Sequence, residues 1–181
     1  GNEFKTDLFA SLMYPGPAFV AGGIAKVLDG KRKGVTLRVA GKKKESKGNG
    51  ATGEVIEGAR EIVVDAIGGL QYAQTELTAK AGEALAWKLR NTDVMPHNLV
   101  LVKPQSAKVV GEASFKMLND PKAGEKNYIP DMPEVIAFIP VIDPETEHVL
   151  HFRAPKEPGD YPYMCTFPGH WQAMRGVLKV R

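Results

Sequence analysis

Four side chains of this sequence have the types and the spacing of a soft metal site. Cys165, the only cysteine in the chain, is followed by His170 after five positions and by Met174 after four more. A second histidine, His97, precedes the cysteine by 68 positions. Thiolate and thioether sulfur suit Cu(I), whereas imidazole nitrogen suits Cu(II), so this set accepts both oxidation states of copper. These residues predict a mononuclear copper site that transfers single electrons.

The spacing within the segment 165–174 also predicts how the ligands are presented. Pro168 and Gly169 favour a tight turn, which lets one short loop direct three side chains at one ion. His97 must then come from the end of another strand. A lone cysteine is more often a small buried apolar residue, so the prediction depends on the combination and not on Cys165 alone. A single cysteine also excludes a disulfide within the chain.

Short alternating segments from residue 61 onward predict the elements that position these side chains. In Ala84–Asn91, Leu85, Trp87 and Leu89 fall on one face, as in a half-buried strand. Similar segments are predicted at Ile62–Val64, Leu70–Thr78, Asn98–Val102, Val135–Ile142, Val149–Ala154, Tyr161–Cys165 and Gly176–Val180. About seven to eight such strands, separated by turn residues, are typical of an all-β sandwich or barrel. The exception is Gln105–Leu118, where apolar residues at helical spacing (Val109, Val110, Ala113 and Met117) predict one short helix in a long connection.

Residues 1–60 differ in character, and we interpret them as an N-terminal extension with an arm and a β-hairpin. The net charge of the whole chain is +3, and basic runs at residues 31–33 and 42–44 place the excess in this region. No aromatic residues are interleaved with these runs, so they are interpreted as a solvated turn and not as a nucleic-acid surface.

No apolar run approaches the roughly 18 residues of a membrane span, and no signal peptide is visible in residues 1–25. Residues 61–181 are interpreted as the copper-binding domain.

In its two ligand segments the chain resembles the cupredoxins, and among them most closely the azurins. The segment 165–174 is similar to the azurin ligand loop in its spacing and in the run Cys-Thr-Phe-Pro-Gly-His. The upstream segment 95–98, Met-Pro-His-Asn, is similar to the segment that carries the first ligand in that family. The resemblance covers roughly residues 61–181 and implies a Greek-key arrangement of the strands.

The resemblance also implies a role for each matching residue. The copper ligands of one type 1 site would be His97, Cys165, His170 and Met174. Asn98 would tie the two ligand segments together beside the cysteine sulfur. Pro96 stands where azurins have glycine, as in plastocyanin-like members. In azurins the carbonyl of that glycine is a distant contact of the copper, and whether the Pro96 carbonyl makes this contact is left open.

The implied function is that of a soluble one-electron carrier and not of an enzyme. Its partners would be redox proteins such as a cytochrome or a copper/haem oxidoreductase, and its location would be periplasmic or otherwise extracytoplasmic in a prokaryote. Four side chains flank the predicted ligands and form a predicted docking rim: Met95, Phe167, Pro168 and Trp171. An apolar rim of this kind suits the small, brief contacts of redox complexes.

Other interpretations remain open from the sequence. The chain could be a cupredoxin module of a larger redox enzyme that relays electrons to a haem or another centre, which the extension at 1–60 favours. It could store or deliver copper, or it could be a copper enzyme with an open coordination position. His148 and His151 do not extend the site, because residues three apart on a strand point to opposite faces. Both are predicted to lie at the surface.

Overall fold

The computed structural model describes residues 54–181, so most of the predicted N-terminal extension, with its hairpin, lies outside the described residues. The described part contains nine strands and one α-helix, and a single 3₁₀ turn, Met117–Asn119, follows the helix. The strands are β1 Arg60–Ile67, β2 Gln71–Tyr72, β3 Glu76–Ala79, β4 Ala84–Asn91, β5 His97–Val102, β6 Val135–Ile142, β7 Glu147–Arg153, β8 Gly159–Met164 and β9 Arg175–Val180. The helix, α1, is Ala107–Lys116.

The strands form two sheets, as predicted for an all-β domain. One sheet has four strands in the order β2-β1-β4-β7, and the other has five in the order β3-β9-β8-β5-β6. Both sheets are mixed, because β1 pairs with β4 and β3 pairs with β9 in parallel register, whereas the other pairs are antiparallel. The strand order of the five-stranded sheet places β8 beside β5, although the two strands are far apart in the chain.

The main core lies between the sheets and follows the predicted alternation. Leu85, Trp87 and Leu89 of β4 are fully buried, and Trp87 stacks on Phe152 and meets Tyr163 edge-on. Burial of each such side chain contributes about 1.5 to 3 kcal/mol to the free energy of unfolding. The face of β4 that was predicted to be apolar therefore stabilises the fold strongly.

Strand β5 is buried on both faces, which explains its unbroken apolar run. Leu99 and Leu101 belong to the main core, whereas Val100 and Val102 belong to a second cluster on the other side of the sheet. Helix α1 covers that second cluster with Val110. The predicted helix is therefore confirmed.

Two details of the predicted pattern are wrong. The segment Leu70–Thr78 forms two short strands instead of one, because β2 pairs with β1 in one sheet and β3 pairs with β9 in the other, so nine strands replace the predicted seven to eight. Val109 points outward from α1 and is 48% exposed. His148 and His151, predicted to lie at the surface, are half-buried, and His151 Nδ1 accepts a hydrogen bond from the Ile56 amide at 3.3 Å.

Pro140 lies in β6, at the edge of its sheet, where a missing backbone donor is tolerated. Among the described residues, no helix combines the length and the apolar character that crossing a membrane requires.

Candidate metal centre

Two neighbouring strands bring the predicted ligands together at one end of the five-stranded sheet. His97 is the first residue of β5, and Cys165 directly follows the last residue of β8. These strands are antiparallel partners, with Val100 opposite Met164. The start of β5 and the end of β8 therefore meet at the same sheet end, although His97 and Cys165 are 68 residues apart.

The loop 165–174 is closed by its own backbone hydrogen bonds. The Cys165 amide donates to the Met174 carbonyl at 3.0 Å, and the Met174 amide donates to the His170 carbonyl at 2.9 Å. Gly169 adopts φ 85°, a conformation that side chains other than glycine rarely accept. This tight turn directs His170 back toward Cys165, as the Pro-Gly pair predicted.

The three donor atoms of His97, Cys165 and His170 converge on one point. Cys165 Sγ lies 3.8 Å from Nδ1 of His97 and 3.6 Å from Nδ1 of His170, and all three donor atoms lie within 4.8 Å of one another. An ion about 2.1 Å from an imidazole nitrogen and about 2.3 Å from a thiolate separates those two ligands by about 3.5 to 3.8 Å at tetrahedral to trigonal angles. The observed separations fit a metal ion bound by all three.

All three side chains are buried, and burial shifts the pKa of Cys165 and that of His170. It raises the pKa of the Cys165 thiol to about 12, against the nearby Asn98 and Phe167 amides and Tyr72 hydroxyl, which lower the pKa. Burial, followed by the nearby His97, lowers the pKa of His170. In the metal-free protein the cysteine is therefore a neutral thiol at physiological pH, and it must release a proton to become a metal ligand.

Asn98 joins the two ligand segments by side-chain hydrogen bonds. Its Oδ1 accepts from the Thr166 amide at 2.7 Å, and its Nδ2 donates to Thr166 Oγ1 and to the Asn127 carbonyl, each at 2.8 Å. Asn98 is fully buried. The residue next to His97 is thus tied to the residue next to Cys165, which is the position that the resemblance implied for Asn98.

Met174 and Pro96 occupy positions close to this cluster. Met174 is fully buried and belongs to the same apolar cluster as Cys165, and its backbone carbonyl accepts from the Cys165 amide. Pro96 is half-buried and directly precedes His97. Met174 therefore lies at the closed end of the loop, where its backbone is paired with that of Cys165 and His170.

The residues of the predicted docking rim differ in exposure. Met95 is 38% exposed, whereas Phe167, Pro168 and Trp171 are half-buried. The Phe167 ring lies 5.1 Å from the His170 ring, measured between centroids. His170 itself is only 3% exposed, and the rings of Phe167 and His97 lie against its imidazole.

Trp171 packs against helix α1 and borders an open groove of about 700 Å³. Its ring lies against Gly111, where any larger side chain would overlap with the indole. Three cationic side chains, one acidic side chain and two aromatic rings are among those lining the groove: Lys108, Lys116, Arg175, Glu112, Phe115 and Trp171. The surface next to the ligand loop therefore combines aromatic side chains with an excess of basic ones.

Two residues at the site were missed by sequence reasoning. Asp93 Oδ2 lies 2.9 Å from His97 Nε2, and the hydrogen bond to His97 lowers the pKa of the Asp93 carboxyl. The Tyr72 hydroxyl donates to the Asn98 carbonyl at 2.6 Å, and burial raises the pKa of Tyr72 well above its ordinary value. The position of Asp93 four residues before His97 was a usable signal, whereas Tyr72 reaches the site only through the packing of one sheet on the other.

Comparisons with known proteins agree with this geometry. A family model described as copper binding proteins of the plastocyanin/azurin family matches residues 60–181. Auracyanin-A of Chloroflexus aurantiacus is 35% identical over 113 residues, which cover 61% of this chain and 67% of that protein. Azurin-1 of Alcaligenes xylosoxydans xylosoxydans is 36% identical over 132 residues, which cover 66% of this chain and 98% of the azurin.

The solved structures include a similar fold. The structure of auracyanin A from Chloroflexus aurantiacus, described as a "blue" copper protein, is 29% identical and superimposes with a TM-score of 0.61. The match covers 68% of this chain and all of that one. A family model that spans most of the chain, the cupredoxin fold and the convergent His-Cys-His cluster lead to one conclusion: this chain belongs to the plastocyanin/azurin family of copper binding proteins.

Proposed function

We propose that the chain carries single electrons through one type 1 copper site, which His97, Cys165 and His170 would bind strongly and Met174 would bind weakly. The observation that carries this proposal is the convergence of Sγ and two Nδ1 atoms within 4.8 Å in a buried cluster. When bound, copper supplies reversible one-electron chemistry. Membership in a family of blue copper proteins supports the same function.

The surroundings of the cluster favour a carrier over a catalyst. The three donors and Met174 are buried, with exposed fractions of 3% or less, so a substrate has little room to reach an ion at their centre. The Asn98 and Thr166 hydrogen bonds hold the two ligand segments in one arrangement. A site that keeps its shape between oxidation states loses little energy to reorganisation, which suits electron transfer.

Partner docking is proposed at the rim formed by Met95, Phe167, Pro168 and Trp171. The Phe167 contact with His170 makes this face the short route between the cluster and the surface. The basic residues of the neighbouring groove favour a redox partner with an acidic surface, since opposite charges accelerate encounter. A cytochrome or a copper/haem oxidoreductase in an extracytoplasmic compartment of a prokaryote is the proposed partner and place.

The ligand assignment is tested by the absorption and electron paramagnetic resonance spectra of the copper-loaded protein. The wild type is expected to be intensely coloured, because the Cys165 thiolate donates charge to Cu(II), and the C165S variant is expected to be colourless. Replacing Met174 by leucine is expected to shift the potential while copper is retained, because the thioether bond is weak. A coloured C165S protein, or a wild type that takes up copper without colour, would contradict the assignment.

The docking proposal is tested by electron-exchange rates with a redox partner. The M95K variant places a charge in the rim and is expected to slow exchange, whereas V55K, at an apolar residue that is 77% exposed outside the rim, serves as the control. Equal rates for both variants and the wild type would reject docking at the rim. A protein that hands its copper readily to an acceptor and exchanges electrons slowly would instead support storage or delivery.

A further inference from the structure

Asp93 lies against a predicted copper ligand without belonging to the ligand set. Its side chain is 8% exposed, and Oδ2 lies 2.9 Å from Nε2 of the fully buried His97. Nδ1 of the same imidazole faces Cys165 Sγ at 3.8 Å. One ring nitrogen of His97 is therefore directed at the other predicted ligands, and the second is directed at a carboxylate.

The carboxylate is held in place by the turn that precedes β5. The Val94 amide donates to Asp93 Oδ1 at 2.7 Å, and the Asp93 amide donates to Asn91 Oδ1 at 3.1 Å. Asn91 in turn donates through Nδ2 to the Met95 carbonyl at 2.8 Å. Because both oxygens of Asp93 have defined partners, the contact with His97 is built into the backbone of residues 91–95.

This contact determines which nitrogen of His97 carries the proton. A neutral imidazole has one N–H group and one lone pair, and an ionised carboxylate can only accept a hydrogen bond. Nε2 must therefore carry the proton, which leaves the lone pair on Nδ1, facing Cys165. Groups that hydrogen-bond the outer nitrogen of a ligating histidine orient the ring and increase its basicity.

We propose that Asp93 is a positioning residue that fixes the Nε2–H tautomer of His97 and, through its negative charge, stabilises Cu(II) relative to Cu(I). This inference rests on the proposed function, since it assumes copper at the His97–Cys165–His170 cluster. A negative charge attracts a doubly charged ion more strongly than a singly charged one. Asp93 therefore lowers the reduction potential of the site.

The first test separates charge from shape by the D93N and D93A substitutions. Asparagine retains an acceptor oxygen but not the charge, so D93N is expected to keep a type 1 spectrum and to have a higher reduction potential than the wild type. Its Cu(II) affinity is expected to fall about 10-fold, with a smaller change for Cu(I), and D93A is expected to lose up to about 100-fold. D160N removes an equal charge at the far end of β8 and is the matched control, for which no shift is expected.

A D93N potential equal to that of the wild type and of D160N would overturn the inference. That failure is distinct from failure of the proposed function, in which the wild type itself gives no type 1 spectrum.

The second test needs neither copper nor a variant. In the copper-free wild type at about pH 9, well above the ordinary imidazole range, nitrogen-15 shifts of the His97 ring are expected to show a protonated Nε2 and an unprotonated Nδ1. A proton on Nδ1 instead would refute the inference even if D93N failed to fold. In D93A, a mixture of the two tautomers is expected.

Discussion

Replacing Asn98 by alanine should cost much more stability than an ordinary Asn-to-Ala change, because Asn98 joins two segments of the domain. The substitution removes three hydrogen bonds, two to Thr166 and one to Asn127, with donor–acceptor distances of 2.7 to 2.8 Å. It also leaves the Thr166 amide without its side-chain acceptor in a fully buried region.

The expected loss can be worked out from these contacts. A buried hydrogen bond contributes about 1 kcal/mol net, and a buried donor left without a partner costs about 1 to 3 kcal/mol. Three lost bonds therefore lower the free energy of unfolding of N98A by about 3 kcal/mol or more. A domain with a stability of about 5 to 15 kcal/mol tolerates this change, so the variant should still fold.

The assay is denaturant unfolding of the copper-free protein, followed by tryptophan fluorescence. T166V removes only the contact with Oγ1 and should cost about 1 kcal/mol. N119A, at an exposed asparagine that ends the 3₁₀ turn, should change stability by less than about 0.5 kcal/mol. If N98A lost no more than N119A, the bridge between the ligand segments would not stabilise the fold and the reasoning would be refuted.

Two further substitutions test contacts remote from the cluster. The Arg60 guanidinium, 2.7 Å from Glu83, lowers the pKa of that carboxyl from 4.5 to about 2, so its contribution to stability is complete above about pH 4.5 and is lost as pH falls toward 2. The stability difference between wild type and E83Q, measured by thermal unfolding, should therefore be largest near neutral pH and should shrink as pH falls toward 2. A difference independent of pH would contradict this. In G176A the added methyl would overlap with the Tyr163 ring, which should cost about 1 to 3 kcal/mol in denaturant unfolding. G124A, where the methyl meets only the Tyr128 hydroxyl at 3.8 Å, is the control, and equal stability of the two variants would show that the core near Gly176 is not tightly packed.

Features that depend on local spacing could be predicted from the sequence. The alternation of Leu85, Trp87 and Leu89 identified the buried face of β4, and apolar residues at helical spacing identified α1. The Pro-Gly turn before His170 is set by residues within a few positions of one another, so its sequence signal is strong.

Features that depend on strand pairing or on an unusual backbone angle could not be predicted. Tyr72 reaches the carbonyl of Asn98 only because the two sheets pack face to face. Leu70 adopts a positive φ that no leucine pattern indicates. The segment Leu70–Thr78 is split because β2 pairs with β1 in one sheet and β3 pairs with β9 in the other. The contact of Asp93 with His97 depends on a turn in which Asn91 accepts a hydrogen bond, and asparagine and aspartate are common in turns for many other reasons.

The burial of β5 on both faces has a consequence for how metal enters and leaves. His97 begins β5, a strand whose residues are all buried. The backbone amides of β5 should therefore exchange with deuterium only when the whole domain unfolds. The loop 165–174 is a turn with several exposed residues, and it should open at a lower free energy. We therefore expect His97 to stay fixed while the loop 165–174 opens locally. Copper would then enter and leave on the side of the cluster that carries His170, and its release rate would equal the rate at which that loop opens.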